Sequence, residues 1–266
     1  MKKTVWWSIL LFGLALIAAI VYYAMPRAPQ EPGPQPQAVP PVASAPAPPT
    51  EPQIRHPVPD VTREKPLPAL DTSDTTMGRA LGRLWSDKAV EERFQLRDFV
   101  RRVVATIDSL PRRKFAARLS PVKPASGSFV TTGTDDTLAI SPQNAARYTP
   151  YLRLADSIDS RKLVELYVHF YPLFQQAYQD LGYPTAYFND RLVEAIDDML
   201  EAPDPQPPVQ LVRPKVFYEY ADPELESRSA GQKILMRMGP ANAARMKTKL
   251  REIRAILANQ RPGGER

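Results

Sequence analysis

An uninterrupted uncharged run, "VWWSILLFGLALIAAIVYYA" from Val5 to Ala24, constrains this chain more than any other feature. As a helix rising about 1.5 Å per residue it spans roughly 30 Å, the thickness of a bilayer's hydrocarbon core. Trp6 and Trp7 at one end and Tyr22 and Tyr23 at the other stand where amphipathic rings prefer the headgroup boundary. The run reads as a single-pass membrane helix over 5–25. Bulky Tyr22 and the following Pro26 oppose a cleaved signal peptide, which ends in small residues. A chain with no cysteine cannot carry a lipoprotein's lipid. Lys2 and Lys3 precede the run and Arg27 alone follows it closely, so the positive-inside tendency puts residues 1–4 in the cytoplasm. The expected localisation is the inner membrane, with everything after the helix in the periplasm.

Residues 26–70 hold half of the chain's 30 prolines and almost no large apolar side chains. Such a segment cannot build a core. Proline favours polyproline II at about 3.1 Å per residue, so the segment reads as a disordered, semi-rigid linker reaching on the order of 100 Å, or as a docking site for a proline-recognising partner. Residues 71–266 are then the soluble domain. Without cysteine there are no disulfides and no thiolate metal sites, so a hydrophobic core must hold it.

Within the domain, residues 73–85 offer a Ser or Asp cap before a helical pattern. Leu96, Phe99, Val100, Val103, Val104, Ile107 and Leu110 share one helical face. From Ser160 to Leu181 the apolar face carries Leu163, Leu166, Tyr167, Phe170, Tyr171, Phe174, Ala177, Tyr178 and Leu181, with Glu165 and His169 opposite and Pro172 on the polar side. Thr185 is the expected cap of the next helix, whose stripe is Phe188, Leu192, Ala195, Ile196, Met199 and Leu200. Two more helices are expected over 222–239 and 240–257. Residues 126–140 suit a hairpin or, alternatively, a loop, and 209–221, broken by Pro214, an edge strand or ordered loop. The fold class is mainly α with a minor β element.

Candidate chemistry is sparse. The two histidines are His56 in the linker and His169 on a predicted solvent face, and no Gly-rich phosphate loop or metal-spaced histidine pair is present. Neither a cofactor nor a metal is called for. "SPVK" (120–123) matches S-x-x-K on paper, but Pro121 and Pro124 oppose the helix turn that motif needs. "LESRSAGQKILMRMGPANA" (225–243) resembles the "ES" and "GLMQ" pieces of lytic transglycosylases, although the spacing is shorter and the second piece departs from the motif. That resemblance implies Glu226 as a general acid.

The triplet Asn189, Asp190, Arg191 is crowded by aromatic residues. On its helix Asn189 faces the apolar side, Arg191 its border, and Asp190 away. Asn189 and Arg191 can bond loop backbone or a buried carboxylate, or they can contact a ligand or partner. The same two readings apply to Arg147, Tyr148 and Tyr151, which can cap the core or line a groove.

"RYTPYLRL", "LYVHFYPLFQQAYQDLGYPTAYFNDRLVEAIDDML" and "FYEYADPELESRSAGQKILMRMGPANAARMKTKLREIR" resemble the bacterial envelope family known as Domain of Unknown Function 3014. The resemblance covers nearly all of 71–258 and implies a Gram-negative envelope protein, with no functional residues to carry over.

Charge is segregated: 79–123 and 228–254 are basic, 156–226 acidic. Either the segments pair on folding, or a basic face containing Lys247, Lys249, Arg251 and Arg254 meets an anionic partner such as lipid headgroups, cell-wall polymer or another envelope protein. Nucleic acid does not suit the compartment. The expectation is a non-enzymatic interaction or scaffolding module of the envelope; the alternative is a cell-wall enzyme using Glu226.

Overall fold

A computed structural model describes residues 53–61 and 66–259. The Val5–Ala24 run, residues 1–4 and most of the proline-rich segment lie outside the described residues. Among the described residues no helix is long and apolar enough to cross a membrane.

The domain is mainly helical. Helix α1 (Asp74–Leu84), α2 (Asp87–Arg93) and α3 (Phe99–Ser109) are followed by an irregular stretch, then α4 (Asn144–Asp156), α5 (Ser160–Asp180) and α6 (Phe188–Leu200). After a second irregular stretch come α7 (Pro223–Ser227), α8 (Ala230–Arg237) and α9 (Pro240–Ala258). Two short antiparallel hairpins pair β1 (Thr131–Thr132) with β2 (Ala139–Ile140), and β3 (Leu211–Val212) with β4 (Glu219–Tyr220). The first matches the hairpin expected over 126–140. The second replaces the edge strand or loop expected over 209–221: Pro214 falls in the connecting loop, where it removes no ladder hydrogen bond.

Helix starts follow two rules, one local and one not. Asp159 caps α5 from its own segment, its carboxylate accepting the N–H groups of Arg161 and Lys162 at 2.7 and 3.3 Å. Asp74 of α1 performs that service for α3 from 25 residues away, accepting the Phe99 N–H at 3.0 Å. Likewise α6 begins at Phe188, not after Thr185: the Phe188 N–H donates to Gln175 Oε1 of α5 at 2.8 Å, so the expected cap is displaced by one from another helix.

The core has distinct centres. Met77, Leu81, Val100, Val104, Phe170, Phe174, Tyr178 and Phe188 join α1, α3, α5 and the start of α6. Val164, Val168, Val193, Ile196 and Leu257 join α5, α6 and α9. Leu152, Leu235 and Ala243 join α4, α8 and α9, and Leu211, Tyr220 and Met236 seat the second hairpin. Each large side chain so buried contributes about 1.5–3 kcal/mol. Val164, Val168 and Leu173 extend the buried arc of α5 beyond the expected face, while Leu181, assigned to that face, is 44% exposed because the helix has ended. Gly231 marks the tightest junction: a Cβ there would stand 2.7 Å from Met199 Cγ, and the Gly231 N–H meets the Leu110 carbonyl at 2.9 Å.

The domain also starts earlier than residue 71. Val58 and Val61, placed in the linker by composition, pack on the cluster joining α5, α6 and α9. Among the described residues the compact unit begins at residue 53.

Candidate functional site

The triplet on α6 is a framework of interior hydrogen bonds. Asn189 is wholly enclosed; its Oδ1 accepts from the Tyr167 hydroxyl at 3.1 Å and its Nδ2 donates to the His56 carbonyl at 2.8 Å. The Asp190 carboxylate accepts the N–H groups of Arg55 and His56 at 3.1 and 2.7 Å. Asp190, expected on the side away from the apolar stripe, is buried there by the segment that carries Arg55 and His56. Arg191 donates from Nε to Asp108 Oδ1 (3.2 Å), from Nη2 to the Asp108 carbonyl (2.6 Å) and from Nη1 to Glu194 (2.8 Å). Asn189 and Arg191 are therefore both engaged within their own chain, Arg191 with a carboxylate.

Burial raises the Tyr167 hydroxyl well above its ordinary range, with Tyr171 and Asp190 adding to the effect, and pushes Tyr171 up to about 12. Both phenols stay neutral at physiological pH and act as hydrogen-bond donors. The Tyr171 hydroxyl donates to Gln175 Oε1, the atom that also caps α6.

Arg147 and Tyr151 hold the irregular stretch after α3 against α4. Arg147 donates from Nε to Ser126 O at 3.1 Å and from Nη2 to Gly127 O at 2.9 Å. The Tyr151 hydroxyl lies 3.0 and 3.1 Å from the carbonyls of Lys123 and Pro124. Tyr148 packs on the cluster around Leu152, with the Arg147 guanidinium 5.9 Å from its ring. Of the two readings open for these residues, this is the capping one.

Two cations of the expected basic face of α9, Lys247 and Lys249, are turned inward, and two more are paired. Lys247 is buried, its Nζ donating to Ala202 O at 2.7 Å and to the Asp204 carboxylate at 2.8 and 2.9 Å. Lys249 donates to Ile158 O and to Ser160 Oγ, which in turn donates to Glu252. Arg254 pairs with Asp197, and Arg245 with Asp156. Arg251 alone of the four candidates on this helix is exposed. The helix packs on α4, α5, α6 and α8, so it is wedged rather than laid on one side. The segregated charge of the sequence is the signature of that wedge: the basic carboxy-terminal helix pairs with the acidic stretch before it.

Glu226 is clamped. Oε2 accepts the Tyr220 N–H at 2.9 Å, and Oε1 accepts from Lys233 Nζ at 2.8 Å. Burial pushes its pKa up, but Lys233, the Tyr220 amide and Arg237 outweigh it and hold the carboxyl below its ordinary value. A general acid needs the opposite shift, so the transglycosylase-like role is not supported by this geometry. His169 is exposed and meets Phe170 edge-on at 4.8 Å. Among the described residues no group of His, Asp and Glu is placed to hold a metal ion.

Two features have no such internal role. The first is the loop 213–218 between β3 and β4. Val216 is 70% and Phe217 80% exposed, flanked by exposed Arg213 and Lys215, with Arg213 lying 5.4 Å from the Tyr218 ring. The signal was present in "RPKVFYEY", where the aromatic content reads as strand but Pro214 turns the segment outward. The second is an apolar cavity of about 340 Å³ among the helices, whose lining the periodicity assigns to solid core.

A family model described as "Protein of unknown function (DUF3014)" matches residues 99–254, from the first residue of α3 into the last turns of α9. No curated protein and no solved structure matches the chain.

Proposed function

The chain belongs to the DUF3014 family of proteins of unknown function, and for this member we propose a non-enzymatic interaction module of the cell envelope. Residues 5–25 tether it to the inner membrane, and the loop between β3 and β4 touches an anionic lipid surface. The observation that carries the reading is the exposure of Val216 and Phe217 beside Arg213 and Lys215. Two adjacent large apolar side chains gain nothing in water, whereas at a bilayer interface they bury while the neighbouring cations reach lipid phosphates at about 1 kcal/mol each. The engagement of Lys247, Lys249, Arg254 and Glu226 within the fold supports a binding role over catalysis.

Flotation of the Glu51–Arg266 unit with phospholipid vesicles tests this. The unit should float with anionic vesicles and less with zwitterionic ones, weaken as salt rises, and lose flotation on Phe217→Ser or Lys215→Gln. Equal flotation of wild type and both variants removes the loop from the reading. Binding to isolated cell wall, or to one envelope protein crosslinked at position 217, would assign the loop to that partner instead.

A further inference from the structure

The cavity of about 340 Å³ lies between the two largest core clusters: Phe99, Phe174 and Phe188 from one, Val164, Ile196 and Leu257 from the other, share its wall. Five helices contribute, through Met77 of α1, Ile107 of α3, Leu163 and Leu166 of α5, Leu192 and Ala195 of α6, and Leu250 of α9. We propose that this cavity is a binding site for a single unbranched acyl chain.

Three observations lead there. The accessible wall carries no polar surface, so a ligand with buried donors or acceptors would lose its water contacts without replacement. Apolar cavities of this kind take apolar molecules rather than water. The volume falls in the range of about 300–1,000 Å³ typical of small-ligand sites. Finally, Ile107, Leu163, Leu166, Leu192 and Leu250 are only half-buried although they face a helical interior. Aliphatic and aromatic side chains both line the wall, and the lining reaches from Trp85 and Phe94 to Leu250 and Leu257. That spread suits a flexible chain more than a compact ring. The chain's polar end stays outside, where the wall offers it nothing. The inference is independent of the β3–β4 loop.

The same acyl chemistry has two sources, a free fatty acid or a chain drawn from a phospholipid, and one experiment separates them. The full-length protein in lipid discs is photolysed with a free fatty acid bearing a mid-chain diazirine, or with a disc phospholipid carrying that chain. Adducts are then mapped by peptide mass spectrometry. Adducts on peptides containing Leu163, Leu192 and Leu250 in either arm are expected. They should fall at least about fivefold in Ala195→Leu and in Leu250→Trp, which fill the cavity from two different helices. Both variants are melted in parallel, and labelling is compared in whichever keeps the wild-type transition. Phe217→Ser should leave this labelling unchanged, which distinguishes the cavity from the membrane-contact loop. Adducts confined to residues 5–25 in both arms, or cavity labelling that persists in folded filling variants, overturn the proposal.

Discussion

Arg191 and Asp108 meet through both the side chain and the main chain of the aspartate: Nε reaches Oδ1 at 3.2 Å and Nη2 reaches the carbonyl at 2.6 Å. The side chains are 15% and 11% exposed. This contact ties α6 to the last turn of α3. Arg112 and Tyr183 approach the same carboxylate at 2.7 and 3.5 Å, so Asp108 is a shared acceptor for three segments.

Arg191→Ala should destabilise the domain by about 2–4 kcal/mol, because it leaves a mostly buried carboxylate with fewer partners. Urea denaturation of the Glu51–Arg266 unit measures it. A change below about 0.5 kcal/mol, the range of ordinary surface substitutions, would contradict the framework assignment.

Asp190→Ala addresses the early start of the domain. It removes the acceptor of the Arg55 and His56 N–H groups and should release residues 53–61 locally, at a cost of about 1–3 kcal/mol. Limited proteolysis followed by mass spectrometry should show faster cleavage within 53–61 than in wild type. Identical cleavage rates there would mean that the segment is not held by this carboxylate.

The helices of this fold were legible where one face alone is buried, and misread where more than one is. The periodicity of 160–181 and 240–257 matches α5 and α9 closely. For α9 the sequence left open whether its cations pair with the acidic segments or form an outward basic face. Lys247 takes the first course because a wedged helix buries polar positions too, and Asp204 receives the ammonium. The starts of α3 and α6 escaped local reading because Asp74 and Gln175 act from other helices. The loop 213–218 could be recognised as a candidate only once its exposure was known, since strand content and surface loop share the same residues. The family resemblance was legible from long matching strings, but it carries no site.

Lys247 and Arg251 provide a matched pair on one helix. Lys247→Ala should cost about 1–3 kcal/mol, since it strands the buried Ala202 carbonyl and removes a buried side chain, while the exposed Asp204 carboxylate rehydrates. Arg251→Gln should cost less than about 0.5 kcal/mol. Thermal melts of both variants check this; equal shifts would mean that α9 presents its basic residues outward after all.

Glu226 predicts a pH dependence. Its folded-state pKa lies below the ordinary value of 4.5, so its contribution to stability is present above that value and is lost as pH falls through the lower, folded one. Wild type should therefore be more stable than Glu226→Gln at neutral pH, with the difference closing below about pH 4.5. Melting temperatures measured across pH 3–7 check this, and a difference that grows on acidification would contradict the sign.

The membrane-contact reading is tested most directly by making the loop its own reporter. In the Glu51–Arg266 unit the native tryptophan is Trp85, whose indole N–H is held by the Leu154 carbonyl at 2.9 Å, so Phe217→Trp adds one tryptophan at the exposed tip. On titration with anionic phospholipid vesicles the emission of this variant, after subtraction of the unsubstituted unit, should shift to shorter wavelength, saturate, and return on adding salt. Emission that stays at the wavelength of a water-exposed indole throughout the titration would contradict contact between this loop and a lipid surface.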